Sequence, residues 1–215
     1  MSVTAPWVRI LPCPPKFQTI SMTININMNN NCWYSLNIDF SNALRKDWEW
    51  KIPDLKKSYI RSESSRMFNA EWLSYMNSIG VPINHAVLFY RTPNGDPPTA
   101  HIDINGNNHT PIHYALNWIV KGKNSEMKWY NLPDTYPDTK YSMANAPYID
   151  WPMSELEEID KANIQSYFTL VRTDIPHKVT THEESRWAIS IRSSVLANWN
   201  DVVSHFRSKN LLIER

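Results

Sequence analysis

Short runs rich in β-branched and aromatic residues recur from residue 85 onward, most of them bounded by Pro, Gly, Asn or Asp. They cover residues 85–90, 101–104, 113–120, 127–130, 167–172, 177–180 and 187–192. Such runs at close spacing predict strands joined by tight connections. The loop Thr92-Pro93-Asn94-Gly95-Asp96-Pro97-Pro98 and the polar turn Asn105–Asn108 are the clearest breaks. Alternation is sharpest over 186–192. Arg186, Ala188, Ser190 and Arg192 share one face of a strand there, and Trp187, Ile189 and Ile191 share the other. A polar face with small residues suits a pocket, while the apolar face suits a core.

The first half reads differently. Residues 33–40 have strand character, and 19–27 alternate as an edge strand. Met67, Phe68, Trp72, Leu73 and Met76 form an apolar stripe at helical spacing. This predicts a helix over 62–77, capped by Ser64 or Ser65 and stopped by Gly80. A second helix is expected over 202–212. Segment 131–152 holds Pro133, Pro137, Pro147 and Pro152 beside Asp134, Asp138, Asp150 and three tyrosines. That composition predicts a long loop serving as a mobile lid over a binding site. The expected architecture is mainly β: a double-stranded β-helix (a jelly-roll, cupin-like) with flanking helices. It forms a single domain over 1–215, with N-terminal strands and a supporting helix in 1–82. The jelly-roll core occupies 83–195, and a C-terminal helix 196–215.

Composition narrows the function classes. The chain has 215 residues, 42% of them hydrophobic, which is enough for one sizeable core. A net charge of +1 with scattered Lys and Arg provides no field for nucleic acid. Only four glycines occur, and neither GxGxxG nor GxxxxGK[ST] is present, so a phosphate-cradling loop is not expected. Cys13 and Cys32 read as free thiols. With no signal-like segment and no run of apolar residues long enough to span a membrane, the expectation is a soluble cytoplasmic protein.

The chemistry concentrates in His101-Ile102-Asp103, answered downstream by His177 and, nine residues later, by Arg186. Residues i and i+2 of a strand share a face, so His101 and Asp103 point together. A third ligand from a distant strand completes a 2-His-1-carboxylate set, which suits non-haem Fe(II) and leaves positions open for a co-substrate and O₂. His182 is the rival ligand, in a turn beside Glu183 and Glu184. Arg186 offers a permanently charged fork that can hold a dicarboxylate bidentately. His109 and His113 lie near the HxD pair, and His85 reads as a strand residue. Trp118, Trp129 and Trp151 are expected in the core or lining the site.

Together, His101-Ile-Asp103, the strand ending Leu116-Asn117-Trp118, Pro176-His177-Lys178-Val179 and Arg186-Trp-Ala-Ile-Ser-Ile-Arg192 resemble the Fe(II)/2-oxoglutarate-dependent oxygenases. Within them the pattern is similar to the prolyl-hydroxylase-like and aspartyl/asparaginyl β-hydroxylase-like groups, over roughly residues 83–195. The resemblance implies iron ligation by His101, Asp103 and His177, and a 2-oxoglutarate carboxylate on Arg186. It also implies co-substrate or pocket contacts from Asn117, Tyr90 and Arg192, O₂ as second co-substrate, and a peptide or amino-acid substrate. Two alternatives remain: a cupin-type metalloenzyme without 2-oxoglutarate, and a non-catalytic jelly-roll binding protein.

Overall fold

The computed structural model describes residues 31–48, 59–105, 110–122, 124–142, 147–163, 168–193 and 198–213. The expected strand at 19–27 and the residues Cys13 and His109 lie outside them. The chain runs β1 (Trp33–Leu36), β2 (Tyr59–Glu63), α1 (Ser64–Met67), α2 (Ala70–Ser78), β3 (His85–Arg91) and β4 (Thr99–Asp103). It continues through β5 (Tyr114–Lys121), β6 (Ser125–Tyr130), β7 (Lys140–Tyr141), β8 (Pro147–Pro152) and β9 (Glu158–Ala162). It ends with β10 (Thr169–Arg172), β11 (His177–Thr181), β12 (Arg186–Arg192), α3 (Trp199–Ser208) and β13 (Leu212–Ile213).

The fold is mainly β and jelly-roll-like, as expected. A seven-stranded sheet has the order β13-β1-β10-β5-β12-β3-β2, and a six-stranded sheet the order β7-β8-β4-β11-β6-β9. The strand pairs are antiparallel. The larger sheet takes β1, β2 and β13 from outside residues 83–195, so the boundaries expected at 82 and 195 do not delimit it.

Three apolar clusters follow from strand alternation. Ala115, Ile119 and Ala188 of the larger sheet meet Met127 and Trp129 of the smaller one, which fills the space between the sheets. Behind the larger sheet, Leu88, Leu116, Ile189 and Ile191 pack against Trp72 and Met76 of α2 and Val202 and Phe206 of α3. On the outer face of the smaller sheet, Ile102 and Ile104 pack on Ile149 and Trp151.

Local chemistry corrects several element boundaries. The helix expected over 62–77 is broken: its first residues belong to β2, and α1 ends at Met67. Phe68 turns extended and bridges to Leu44. Asn69 then caps α2, accepting from Trp72 N at 2.8 Å, a role Asn fills better than a mid-helix position. Gly80, at φ 80°, stops the helix as expected. The C-terminal helix begins earlier than 202, because Asn198 caps it through Asp201 N at 2.9 Å, and it ends at Ser208. The strand expected over 33–40 stops at Leu36, and Asp39 closes a local turn on Ser41.

The largest correction concerns 131–152. Instead of a loop closing as a lid, its second half is β8, which pairs along the whole of β4, with β7 beside it. Two of its four prolines stand at the ends of β8 (Pro147 and Pro152), where the absence of an N–H costs least. Between them, Ile149 and Trp151 cover the outer face of β4. Trp151 is fully buried and donates through Nε1 to Thr135 O at 2.9 Å. Trp151→Ala is therefore expected to cost about 3 kcal/mol or more. It should appear as a lower urea midpoint at unchanged slope, and a change below about 1 kcal/mol would show β8 to be peripheral.

Candidate metal centre

Two neighbouring strands of the smaller sheet build the centre. In β4, Ile102 points to the outer cluster, so His101 and Asp103 point inward between the sheets. The neighbouring β11 places His177 directly opposite His101 in the antiparallel register. One ligand atom from each of His101, Asp103 and His177 lies within 4.8 Å of the others. His101 Nε2 is 3.6 Å from Asp103 Oδ1, and the two imidazole centroids are 4.7 Å apart. Ligand bonds near ~2.1 Å are compatible with one ion shared among these atoms.

Each ligand is oriented by a neighbour. His177, 4% exposed, has Nδ1 3.0 Å from the Ile175 carbonyl. A carbonyl only accepts, so Nδ1 carries the proton and Nε2 is left as a bare donor for a metal. Asp103 Oδ2 accepts from Arg192 Nη2 at 2.7 Å, which leaves Oδ1 toward His101. Burial alone would raise the Asp103 carboxyl, but Arg192, then His177 and His101, outweigh it and hold it down at about 2. Burial, with help from His177 and Arg91, pushes the His101 imidazole down to about 3 against the pull of Asp103 and Asp150. His177 is lowered as well, chiefly by burial. At neutral pH the set is two neutral imidazoles and one carboxylate, the protonation state that ligation requires.

The facing sheet supplies cations and amide. Arg186, 4% exposed, opens β12 and lies on the inward face with Ala188 and Ser190. Gly122, at φ 81°, follows β5 here; a Cβ would collide with the Ser185 carbonyl and Arg186 Cα, so only glycine permits this approach. The Arg186 Nε is buried without a hydrogen-bond partner among the described residues. Glu183 and Glu184, nearest in sequence, are exposed and form no ion pair with it among the described residues. Burial, then the Arg91 guanidinium, pushes Arg186 down to about 9, so it stays charged at neutral pH. Asn117 sits opposite Ser190 on the same inward face, its Oδ1 also buried and without a hydrogen-bond partner among the described residues.

Two expected site residues take other places. Tyr90 is paired with Trp187 and packs on it with ring centroids 4.7 Å apart. Trp187 belongs to the cluster behind the larger sheet, so Tyr90 faces away from His101. Alternation moves the inward position to Arg91. Arg192 does not join Arg186 at a shared anion, because Asp103 engages it. His182 is exposed in its turn, His113 pairs with Asp174 at 2.9 Å, and Trp118, Trp129 and Trp151 are core residues.

Sequence reasoning missed Tyr148, Asp150 and Arg91. Tyr148 stands opposite Asp103 and edge-on to His101, with centroids 6.1 Å apart. Asp150 stands opposite His101 and holds Lys140 Nζ at 2.6 Å. Period-two alternation within Tyr148-Ile-Asp150-Trp would have revealed both, had the prolines not marked the segment as a loop. Among the described residues, no helix is long and apolar enough to cross a membrane. No model of a known protein family matches the sequence. No curated protein matches it either.

Proposed function

We propose that this chain is an Fe(II)- and 2-oxoglutarate-dependent dioxygenase that hydroxylates an amino-acid side chain, Asp, Asn or Pro, in a peptide or as the free amino acid. The observation that carries this reading is the pairing of two features across one interior. A His-Asp-His set lies on the inward face of one sheet, and the buried Arg186, whose Nε has no hydrogen-bond partner among the described residues, opens a strand on the inward face of the other. The donor set fits the metal, since two neutral imidazoles and one carboxylate on one side leave further positions open. The orphaned Arg186 fits the co-substrate, because a buried unpaired cation is costly and a carboxylate would satisfy it.

His101, Asp103 and His177 would hold the iron, and Arg186 would hold the carboxylate of 2-oxoglutarate remote from it. Bound Fe(II) with 2-oxoglutarate and O₂ supplies the oxidising chemistry, in which the keto acid leaves as succinate and CO₂ and a substrate C–H becomes C–OH. Arg192 fixes one Asp103 oxygen, so the carboxylate presents the other to the metal. The Ile175 carbonyl fixes the tautomer of His177. Met127, Trp129 and Ile119 between the sheets exclude water from the interior behind the site.

The test is succinate formation from 2-oxoglutarate by the Fe(II)-loaded chain in air. Succinate is expected even without substrate, and its formation should be lost in His177→Ala. If the wild-type chain binds metal yet neither binds nor consumes 2-oxoglutarate, a cupin-type enzyme becomes the better reading. If it binds no metal at all, a non-catalytic jelly-roll does.

A further inference from the structure

We propose that Arg91 joins Arg186 in a two-arginine clamp on a single carboxylate, the one of 2-oxoglutarate remote from the metal. This rests on the co-substrate assignment above. Arg91 closes β3, and the antiparallel register sets it directly opposite Arg186 of β12. Directly opposed residues of one sheet face bring their Cβ atoms to roughly 5 Å, and like charges placed so repel. Neither guanidinium has a hydrogen bond or ion pair among the described residues, and Arg186 is 4% exposed. A sheet that opposes a buried arginine to a half-buried one, neither neutralised among the described residues, is complete only with an anion between them. A carboxylate has two oxygens and about four lone-pair directions, enough for two forks at once.

Several observations direct Arg91 into the site instead of outward. Tyr90 packs on Trp187 at the far face of the sheet, so alternation turns the next residue, Arg91, to the inward face it shares with Arg186. The strand end that carries Arg91 is also pinned. Thr181 Oγ1 donates to Thr92 O at 2.6 Å and accepts from Gly95 N at 2.9 Å. Thr181 ends β11, the strand that begins with His177, so the clamp and the metal ligand share one rigid support. At the opposite end of β12, Arg192 is already neutralised by Asp103, which leaves Arg91 and Arg186 as the pair awaiting an anion.

Arg91→Met separates this role from a structural one. The apolar, similarly long side chain removes one of two opposed charges, so the unliganded variant should melt at the wild-type temperature or above. Calorimetric titration of the Mn(II)-loaded full chain should show 2-oxoglutarate affinity reduced at least tenfold. Affinity for 2-oxopentanoate, which lacks the remote carboxylate, should be unchanged. Equal 2-oxoglutarate affinity in variant and wild type overturns the clamp while sparing the co-substrate reading. Equal loss for both acids overturns it too, because Arg91 would then act at the metal end. A variant that melts well below wild type or does not fold makes Arg91 structural and overturns it. If wild type binds no 2-oxoglutarate, the co-substrate reading fails, and glutarate added to the metal-free chain decides the clamp separately. Stabilisation of wild type but not of Arg91→Met upholds it, and any other result overturns it.

Discussion

Asp103→Ala is expected to lower affinity for Mn(II) or Fe(II) by more than about 100-fold, because even residues that merely orient metal ligands cost 10- to 100-fold when lost. The metal-free protein should suffer as well. Arg192, with 11% of its side chain exposed, would lose the carboxylate that neutralises it at 2.7 Å. Breaking a buried pair from one side costs about 3 kcal/mol at the low end, and the low end applies because Asp103 itself keeps 21% exposure. His101→Ala provides the contrast. It should abolish metal binding to a similar degree with much less effect on the unliganded fold, since His101 there makes ring contacts with His177 and Tyr148 and a 3.6 Å approach to Asp103 Oδ1, too long for a hydrogen bond. Calorimetric metal titration with urea unfolding of each metal-free variant measures both quantities. Tight metal binding retained by Asp103→Ala would remove the carboxylate from the ligand set.

The legible part of this fold was the part governed by strict alternation. Strand β12 shows it best: Arg186, Ala188 and Ser190 face inward, and Ile189 and Ile191 pack against the helices, as period two requires. The His101-Ile102-Asp103 pair was legible for the same reason. Its partner His177 was legible only as a histidine opening a strand; the cross-strand register that sets it against His101 is a tertiary fact that no local pattern encodes. Tyr90 was misplaced by one residue, and in a strand a shift of one exchanges the faces, which is how Arg91 went unseen. Segment 131–152 was misread because prolines at the two ends of a strand look like prolines throughout a loop. Asn69 and Asn198 were overlooked as caps because apolar stripes locate a helix better than they locate its ends.

Arg186→Lys is expected to weaken 2-oxoglutarate binding by about 10- to 100-fold while leaving metal affinity unchanged. A charge-assisted hydrogen bond contributes roughly 1.5–3 kcal/mol, and each 1.4 kcal/mol is tenfold. Lysine keeps the charge but replaces a planar fork by a compact, strongly hydrated ammonium that cannot engage both oxygens in one plane. Shape and hydration, not net charge, therefore set the size of the loss. The site permits little adjustment. Arg186 is 4% exposed, its backbone is held close to Gly122, and its strand is paired on both sides, with β3 and with β5. A shorter-reaching ammonium cannot be brought nearer by moving the chain. Metal affinity is insulated because Arg186 touches none of His101, Asp103 or His177, while Arg192, six residues along the strand, orients Asp103 independently. Titration of the Mn(II)-loaded variant with 2-oxoglutarate decides the matter: unchanged affinity would remove Arg186 from the co-substrate site, and an equal loss of metal affinity would show that it acts through the fold of the interior.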